Sequence, residues 1–266
     1  MAKVTAESRE QFNNDSAAYK AKIKEILAQE KALTSEIAKD KSQEGVLKIE
    51  LAELMLYAAS VHIIVNNMSW EIMNVKNEDA LNDARKLIYK AIIYLEDIVT
   101  NIVDSTADDL KDRLPKIEAV PLEKRYYLTR KLGLTIQLVI DAYGDNSKWK
   151  WSFVEMQGRF IVVAKNMLDM PQVSKDYFDG ASEAHDISFY YIRLLKTWLP
   201  KCADNYREKY ELSTRRADDM RMGINFLMAY RRLLVNFGDK DEAEEIKKKI
   251  QVWKSKMETD SKEQKK

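Results

Sequence analysis

The stretch that decides the fold of this chain covers residues 81–103 and reads LNDARKLIYKAIIYLEDIVTNIV. Its apolar side chains recur at alternating intervals of three and four residues. Such a 3.5-residue repeat keeps one stripe of a helix facing a neighbour along its whole length. The pattern predicts a helix from Asn77 to Val103 or beyond, packed on neighbouring helices or partly on another chain. The seam residues are Leu81, Ala84, Ile88, Ala91, Leu95, Ile98 and Ile102.

The segment before it, residues 46–75, predicts a helix of a different kind. Its apolar residues cover most of the helical circumference, which is typical of a helix buried by several neighbours. A first helix, residues 8–39, carries a narrow apolar stripe in which Glu30 occupies one seam position. The uncharged run from Leu54 to Val65 is well short of the ~20 residues that span a bilayer, so we expect no transmembrane segment.

The overall composition also favours an all-α fold. Only 7 glycines and 4 prolines occur among 266 residues, and both residue types normally mark turns and sheet corners. Charged residues make up 33% of the chain, which indicates well-solvated helical faces. The net charge of +1 lacks the basic surplus of a typical nucleic-acid-binding protein, so we expect no nucleic-acid partner.

The best candidate for a domain boundary is the segment 115–121, which contains Pro115 and Pro121. Most aromatic residues follow it. We therefore predict a long-helix N-terminal bundle or arm (residues 1–114), joined at this proline-containing elbow to an aromatic-rich helical bundle (residues 122–258). A charged tail is expected at residues 259–266.

The second bundle shows five helical patterns separated by short breaks. Turns are expected at Gly144-Asp145-Asn146, Met170-Pro171, Asp179-Gly180 and Gly238-Asp239. A kink or break is expected near Pro200. The predicted helices cover residues 122–143, 148–168, 181–210, 214–237 and 239–257.

Searches for catalytic, metal and cofactor motifs find none, and we predict no such sites and no cofactor. His62 lies in an apolar helical segment, and His185 fits the first turn of a helix. No Glu-x-x-His pair and no glycine-rich phosphate loop is present. The lone Cys202 is expected to be a buried small side chain.

Aromatic residues supply the candidate contact residues. Aromatic side chains among lysines are typical of core packing and also of surfaces that bind proteins, and the sequence leaves both readings open. The candidate interface residues are Trp149, Trp151, Tyr190, Tyr191 and Trp253.

Two resemblances extend this interpretation. Ala229-Tyr230 and the segment Phe237-Gly238-Asp239-Lys240-Asp241-Glu242-Ala243 resemble the turn of a tetratricopeptide repeat, which places Gly-Asp-x-x-x-Ala between paired helices. The resemblance implies one helical pair, a common scaffold for protein contacts. The layout of most of the chain, including the seam of residues 81–102, resembles the all-helical coat proteins of spirochaete periplasmic flagella, the flagellar-coiling class. This second resemblance implies a filament-coat subunit in the periplasm after removal of a leader; otherwise we expect the cytoplasm.

These observations favour a non-enzymatic structural or assembly protein that binds itself or other proteins through helical faces within a larger assembly. An alternative is a module that binds a small molecule or peptide between helices of the C-terminal bundle. A third hypothesis is an enzyme that uses His185, Asp186 and Tyr190 in a helical pocket.

Overall fold

The computed structural model describes residues 4–144 and 147–263. Within these ranges the chain contains α-helices, one 3₁₀ turn (Leu114–Ile117) and one π-helical turn (Tyr210–Thr214), and no strand. The predicted all-α class is confirmed. Of the predicted turn at 144–146, Asp145 and Asn146 lie outside the described residues. The helices are α1 (Ala6–Lys39), α2 (Glu44–Met73), α3 (Glu78–Val99), α4 (Ala107–Leu110), α5 (Leu122–Tyr143), α6 (Lys150–Asn166), α7 (Met170–Phe178), α8 (His185–Lys209), α9 (Ala217–Asn236) and α10 (Lys240–Glu263).

The helices form two compact units that do not follow the predicted division. Unit 1 contains the chain up to Ile98 together with Pro115–Val120 and Tyr127–Lys150, and unit 2 contains the remainder. Most of α5 therefore belongs with the N-terminal helices. The Lys131 ammonium lies 3.0 Å from the Glu53 carboxylate, and the Tyr143 hydroxyl donates to Asn82 Oδ1 at 3.3 Å. Prolines mark a local turn in the chain, whereas these contacts between distant residues decide the unit.

Unit 1 is built around α2 and α3. Phe12 of α1, Val65 of α2 and Ala80 of α3 share one apolar cluster. The α3 seam from Leu81 to Ile98 is buried throughout, as its 3.5-residue period predicts. The seam thus serves the interior of unit 1. Ile102, the last predicted member of the seam, is not part of it, because α3 ends at Val99 and Ile102 is exposed outside the helix.

The length and composition of α2 are sufficient for a membrane-spanning helix, with a mean hydropathy of 1.4 in its most apolar window. In the folded chain, 61% of that window is buried by protein. A core helix surrounded by neighbours has the same composition, because protein neighbours and lipid both favour apolar side chains. This criterion by itself is therefore weak evidence of a membrane span.

The charged residue in the α1 stripe has a specific structural explanation. Glu30 is buried, and its Oε1 accepts a 2.5 Å hydrogen bond from the hydroxyl of Tyr94 on α3. The Lys90 ammonium forms an ion pair with the same carboxylate. Burial, followed by this hydrogen bond, raises the pKa of Tyr94 to about 12. Glu30 is thus compensated by two groups one turn apart on the facing helix.

The helix boundaries of unit 2 differ more from the predicted ones than those of unit 1 do. Pro171 does not mark a turn but occupies the first turn of the additional helix α7, where the Asp169 side chain caps the helix by accepting from Gln172 N at 3.3 Å. Pro200 lies inside α8 without breaking it. The last helix is longer than the predicted 239–257, since α10 continues to Glu263 and takes in residues 259–263 of the predicted charged tail. The Tyr210 hydroxyl donates to Asp260 at 2.6 Å and anchors this last part of α10.

Backbone of unit 1 approaches Gly45 closely in the first turn of α2. A Cβ atom at this position would stand 2.1 Å from the carbonyl oxygen of Lys116. We expect Gly45→Ala to lower the free energy of unfolding by about 1–3 kcal/mol, because backbone must move to admit the methyl group. Urea unfolding followed by circular dichroism measures the change.

Gly180→Ala is the matched control, because no atom lies within 4 Å of a Cβ built there. Its stability should stay within about 0.5 kcal/mol of the parent chain. Equal effects of the two substitutions would contradict the close approach at Gly45.

Candidate functional site

Two of the five candidate interface residues lie in the core of unit 2. Tyr191 is fully buried on α8, and its hydroxyl donates to the carbonyl oxygen of Ala164 at 2.9 Å. Trp253 is buried on α10. Its ring packs so close to Gly223 of α9 that a Cβ atom on that glycine would lie 3.1 Å from it. These two aromatic rings therefore pack helices against one another within the unit and are not surface anchors.

The other three candidates are accessible to different degrees. Trp149 is half-buried in unit 1, where the guanidinium of Arg85 lies 3.9 Å from its ring centroid. Trp151 is half-buried at the start of the unit 2 part of α6. Tyr190 is 50% exposed on α8. Of the five, only Tyr190 presents an open aromatic surface.

Tyr190 belongs to a group of aromatic rings from α7, α8 and the residue that follows α9, which we call the aromatic cluster. The centroid of Tyr177 lies 4.7 Å from that of Phe237, 5.0 Å from that of Phe178 and 5.8 Å from that of Phe189. Phe189 in turn lies 5.9 Å from Tyr190. These separations are those of favourable offset and edge-to-face ring pairs. The cluster comprises Tyr177, Phe178, Phe189, Tyr190 and Phe237.

The outer rings of the aromatic cluster face solvent. Phe178 is 62% exposed, Tyr190 is 50% exposed and Phe189 is 41% exposed, whereas Phe237 is buried and anchors the group. Contiguous exposed aromatic surface is uncommon on a soluble protein unless it contacts something. Aromatic residues that stand on a rigid base are also the side chains that most often supply binding energy in protein interfaces.

A charged pair supports the base of the aromatic cluster. The Lys196 ammonium lies 5.9 Å from the ring centroids of both Tyr177 and Phe237, within the range of cation–π attraction. The same ammonium donates to Asp239 Oδ2 at 2.5 Å. Asp239 belongs to the turn between α9 and α10, in which Gly238 adopts a φ of +85°. The turn that resembles a tetratricopeptide repeat thus joins a helical pair and braces the aromatic rings.

Sequence reasoning found part of this cluster. Tyr190 and the turn that begins at Phe237 are predicted from the sequence, whereas Tyr177 and Phe178 are not among the predicted contact residues. Both lie on α7, whereas the sequence predicts a turn at Met170-Pro171 and no helix between residues 168 and 181. The available signal was the Asp169-Met170-Pro171 sequence, because aspartate followed by proline is a common helix start.

Lys165, a lysine whose pKa is lowered by burial, belongs to a buried group of polar side chains in unit 2. Lys165 Nζ donates to Ser105 O at 3.1 Å and to Ser105 Oγ at 2.9 Å. Asn166 Nδ2 donates to the carbonyl oxygens of Thr100 and Ile102 at 3.0 and 3.1 Å. Thr100 has a φ of +112°, which is strained for a residue with a side chain. These bonds hold the segment after α3 in its strained conformation.

A serine beside a lysine of lowered pKa resembles a nucleophile and its base. Ser105 and Lys165 are both buried, and the Ser105 hydroxyl donates to Asn166 Oδ1 at 2.6 Å. The hydroxyl proton therefore points to the amide and not to the lysine. The geometry is that of a brace between the segment after α3 and the end of α6.

The titration of Lys165 makes stability depend on pH. Burial lowers its pKa to about 8, against ~10.4 in an unfolded chain. Between these pH values the unfolded chain binds a proton that the folded chain does not, so the free energy of unfolding should rise with pH. From pH 8 to pH 10 this one group should contribute about 2 kcal/mol.

The measurement is urea unfolding at pH 8 and pH 10 for the parent chain and for Lys165→Met. The variant should lack the rise, and Lys248→Met, which changes an exposed lysine of α10, should keep it. An equal pH dependence in all three proteins would show that Lys165 does not titrate in this window.

The remaining candidate reactive groups have local structural roles. Desolvation lowers the pKa of His62. His185 Nδ1 lies 3.2 Å from the carbonyl oxygen of Asp176 at the start of α8. Burial raises the pKa of the Cys202 thiol to about 12, as expected for a packed side chain. Among residues 4–144 and 147–263, no three His, Cys, Asp or Glu side chains are grouped so as to hold a metal ion.

Comparison with known proteins adds a family to this geometry. The sequence profile of the TP0443 family matches residues 8–261 of this chain. The chain belongs to the TP0443 family. No curated protein and no solved structure matches it. The TP0443 family match extends over both units, so the aromatic cluster and the brace at Lys165 both lie within it.

Proposed function

We propose that this protein is a non-enzymatic structural or assembly protein that binds itself or other proteins through helical surfaces. The observation that carries the proposal is the aromatic cluster, in which Phe178, Phe189 and Tyr190 are held open to solvent on a buried base. A partner surface that covers these rings would remove apolar area from water, the main favourable term in protein association.

The mutual packing of the rings in the aromatic cluster favours a role in binding over exposure without a function. Its rings come from α7, α8 and the end of α9, and each contacts at least one other ring. Rings fixed in this way lose little conformational entropy when a partner binds. Single exposed apolar residues such as Leu212, by comparison, are ordinary features of a protein surface.

The resemblance to flagellar coat proteins gives the proposal a more specific form. In that form the chain is a subunit of a filament coat in the periplasm, and the aromatic cluster contacts a neighbouring subunit or the filament. Long helices suit such a role, because a helix of 20–30 residues provides a stiff surface about 30–45 Å long without an intervening loop.

The proposal predicts that truncating the outer rings weakens association. Phe178→Ser combined with Tyr190→Ser should abolish self-association measured by sedimentation velocity, or abolish capture of proteins that the parent chain retains from its native cells. The fold should be unchanged, because each side chain is at least half exposed and the buried Phe237 is retained.

Leu212→Ser combined with Val252→Ser is the matched control. It removes two apolar side chains of unit 2 that are 70% and 66% exposed and lie outside the aromatic cluster. Association should persist in this variant. A parent chain that is monomeric at all concentrations and retains no protein beyond what the Phe178/Tyr190 variant retains would overturn the proposal.

A further inference from the structure

A second surface of unit 2, the α9–α10 groove, combines positive charge with an apolar floor. It runs along these two helices and has a volume of about 430 Å³. Four cationic side chains line it: Arg231 and Arg232 from α9, and Lys247 and Lys254 from α10. Among the described residues, Asp104 is the one acidic side chain that lines it. Since the chain as a whole carries a net charge of only +1, this is a local concentration of positive charge.

Internal ion pairs neutralise the groove only in part. Arg232 Nη2 donates to Asp104 Oδ2 at 3.0 Å, and Lys247 Nζ lies 3.0 Å from Glu244 Oε2. Arg231 Nη2 forms a longer ion pair of 3.7 Å with the same Glu244 carboxylate, so two cations share one acidic group. Its buried Nε has no hydrogen-bond partner in the part of the chain that the structure describes. Lys254 has no carboxylate within ion-pair distance in the described part of the chain. The groove therefore retains capacity to bind carboxylates.

The floor of the groove follows a helical period. Met228 and Val235 lie two turns apart on α9 and are 37% and 49% exposed, and Ile250 closes the floor from α10. Two turns of helix span about 10 Å. An amphipathic helix matches such a surface, because its apolar side chains at i, i+3, i+4 and i+7 cover the floor while acidic residues on its flanks meet the cations.

We propose that the α9–α10 groove binds an acidic amphipathic helical segment of a partner protein. Charge complementarity requires an acidic occupant, and the apolar floor favours a peptide over a free anion, which would leave Met228 and Val235 in water. A peptide is also favoured over nucleic acid, because the residues within 4–144 and 147–263 that line the groove include no aromatic ring on which a base could stack. This inference goes beyond the proposed function and uses none of the aromatic cluster.

The test is fluorescence anisotropy of the full chain with a labelled peptide of about 15 residues, long enough for four helical turns. The peptide is built from glutamate and leucine with leucines on one face. It should bind, and binding should weaken as salt is raised through physiological ionic strength. A peptide with glutamine in place of every glutamate should bind at least about tenfold more weakly.

Variants with matched controls locate the site. Lys254→Glu should weaken binding by about tenfold, whereas Lys248→Glu, an identical charge change outside the groove on the same helix, should not. Val235→Asp should likewise weaken binding, and Val252→Asp should leave it unchanged. The Phe178/Tyr190 double variant should bind the peptide normally, which separates this result from the test of the aromatic cluster.

Three outcomes would overturn the inference. The first is equal loss of binding in the Lys254 and Lys248 variants. The second is full displacement of the peptide by inorganic phosphate, which would indicate a small-anion site. The third is tighter binding of a single-stranded oligonucleotide in competition with the peptide, which would indicate a nucleic-acid surface.

Discussion

The burial of one apolar stripe by each long helix is the constraint on which the rest of this molecule depends. With few glycines and prolines, the chain forms helices of up to 34 residues, and each must cover its apolar face with another helix. In unit 1 the seam of α3 and the apolar circumference of α2 meet this requirement. In unit 2, Tyr191 and Trp253 play the same part between α6, α8, α9 and α10. The proposed function uses the surfaces that this packing leaves open.

The buried polar groups show how the helix packing tolerates exceptions. Glu30 interrupts the stripe of α1 and is compensated by Tyr94 and Lys90 on the facing helix. Lys165 and Asn166 bind the backbone of the segment after α3, where no helix satisfies the carbonyl groups. Each exception adds a specific contact between elements that apolar packing alone would position only loosely. The perturbed pKa of Lys165 is a consequence of this structural role.

The two open surfaces of unit 2 differ in chemistry. The aromatic cluster offers mutually packed rings, and in the proposed function these rings contact an apolar protein surface. The α9–α10 groove offers cations around a narrow apolar floor and suits an acidic helix. Both depend on the turn at Gly238-Asp239, which pairs α9 with α10 and also places Asp239 against Lys196 beneath the rings. One short turn thus contributes to both surfaces.

The helical class, the buried α3 seam and the central place of α2 are recoverable from the amino-acid sequence alone, because hydrophobic periodicity is a local property of the chain. The predicted α3 is too long, since the seam continues to Ile102 in the sequence while the backbone leaves the helix at Thr100. The division into units could not be read from Pro115 and Pro121, because contacts between residues far apart in sequence assign most of α5 to unit 1.

The candidate contact residues also show which features cannot be predicted from the sequence. Five aromatic residues were recognisable as core or surface, but only folding separates the buried Tyr191 and Trp253 from the exposed Tyr190. Tyr177 meets Phe237 across 60 residues of sequence, and Arg232 meets Asp104 across 128. Periodicity within one helix carries no information about such meetings. They arise when helices pack, and the tertiary structure therefore decides where this protein presents its rings and its charge.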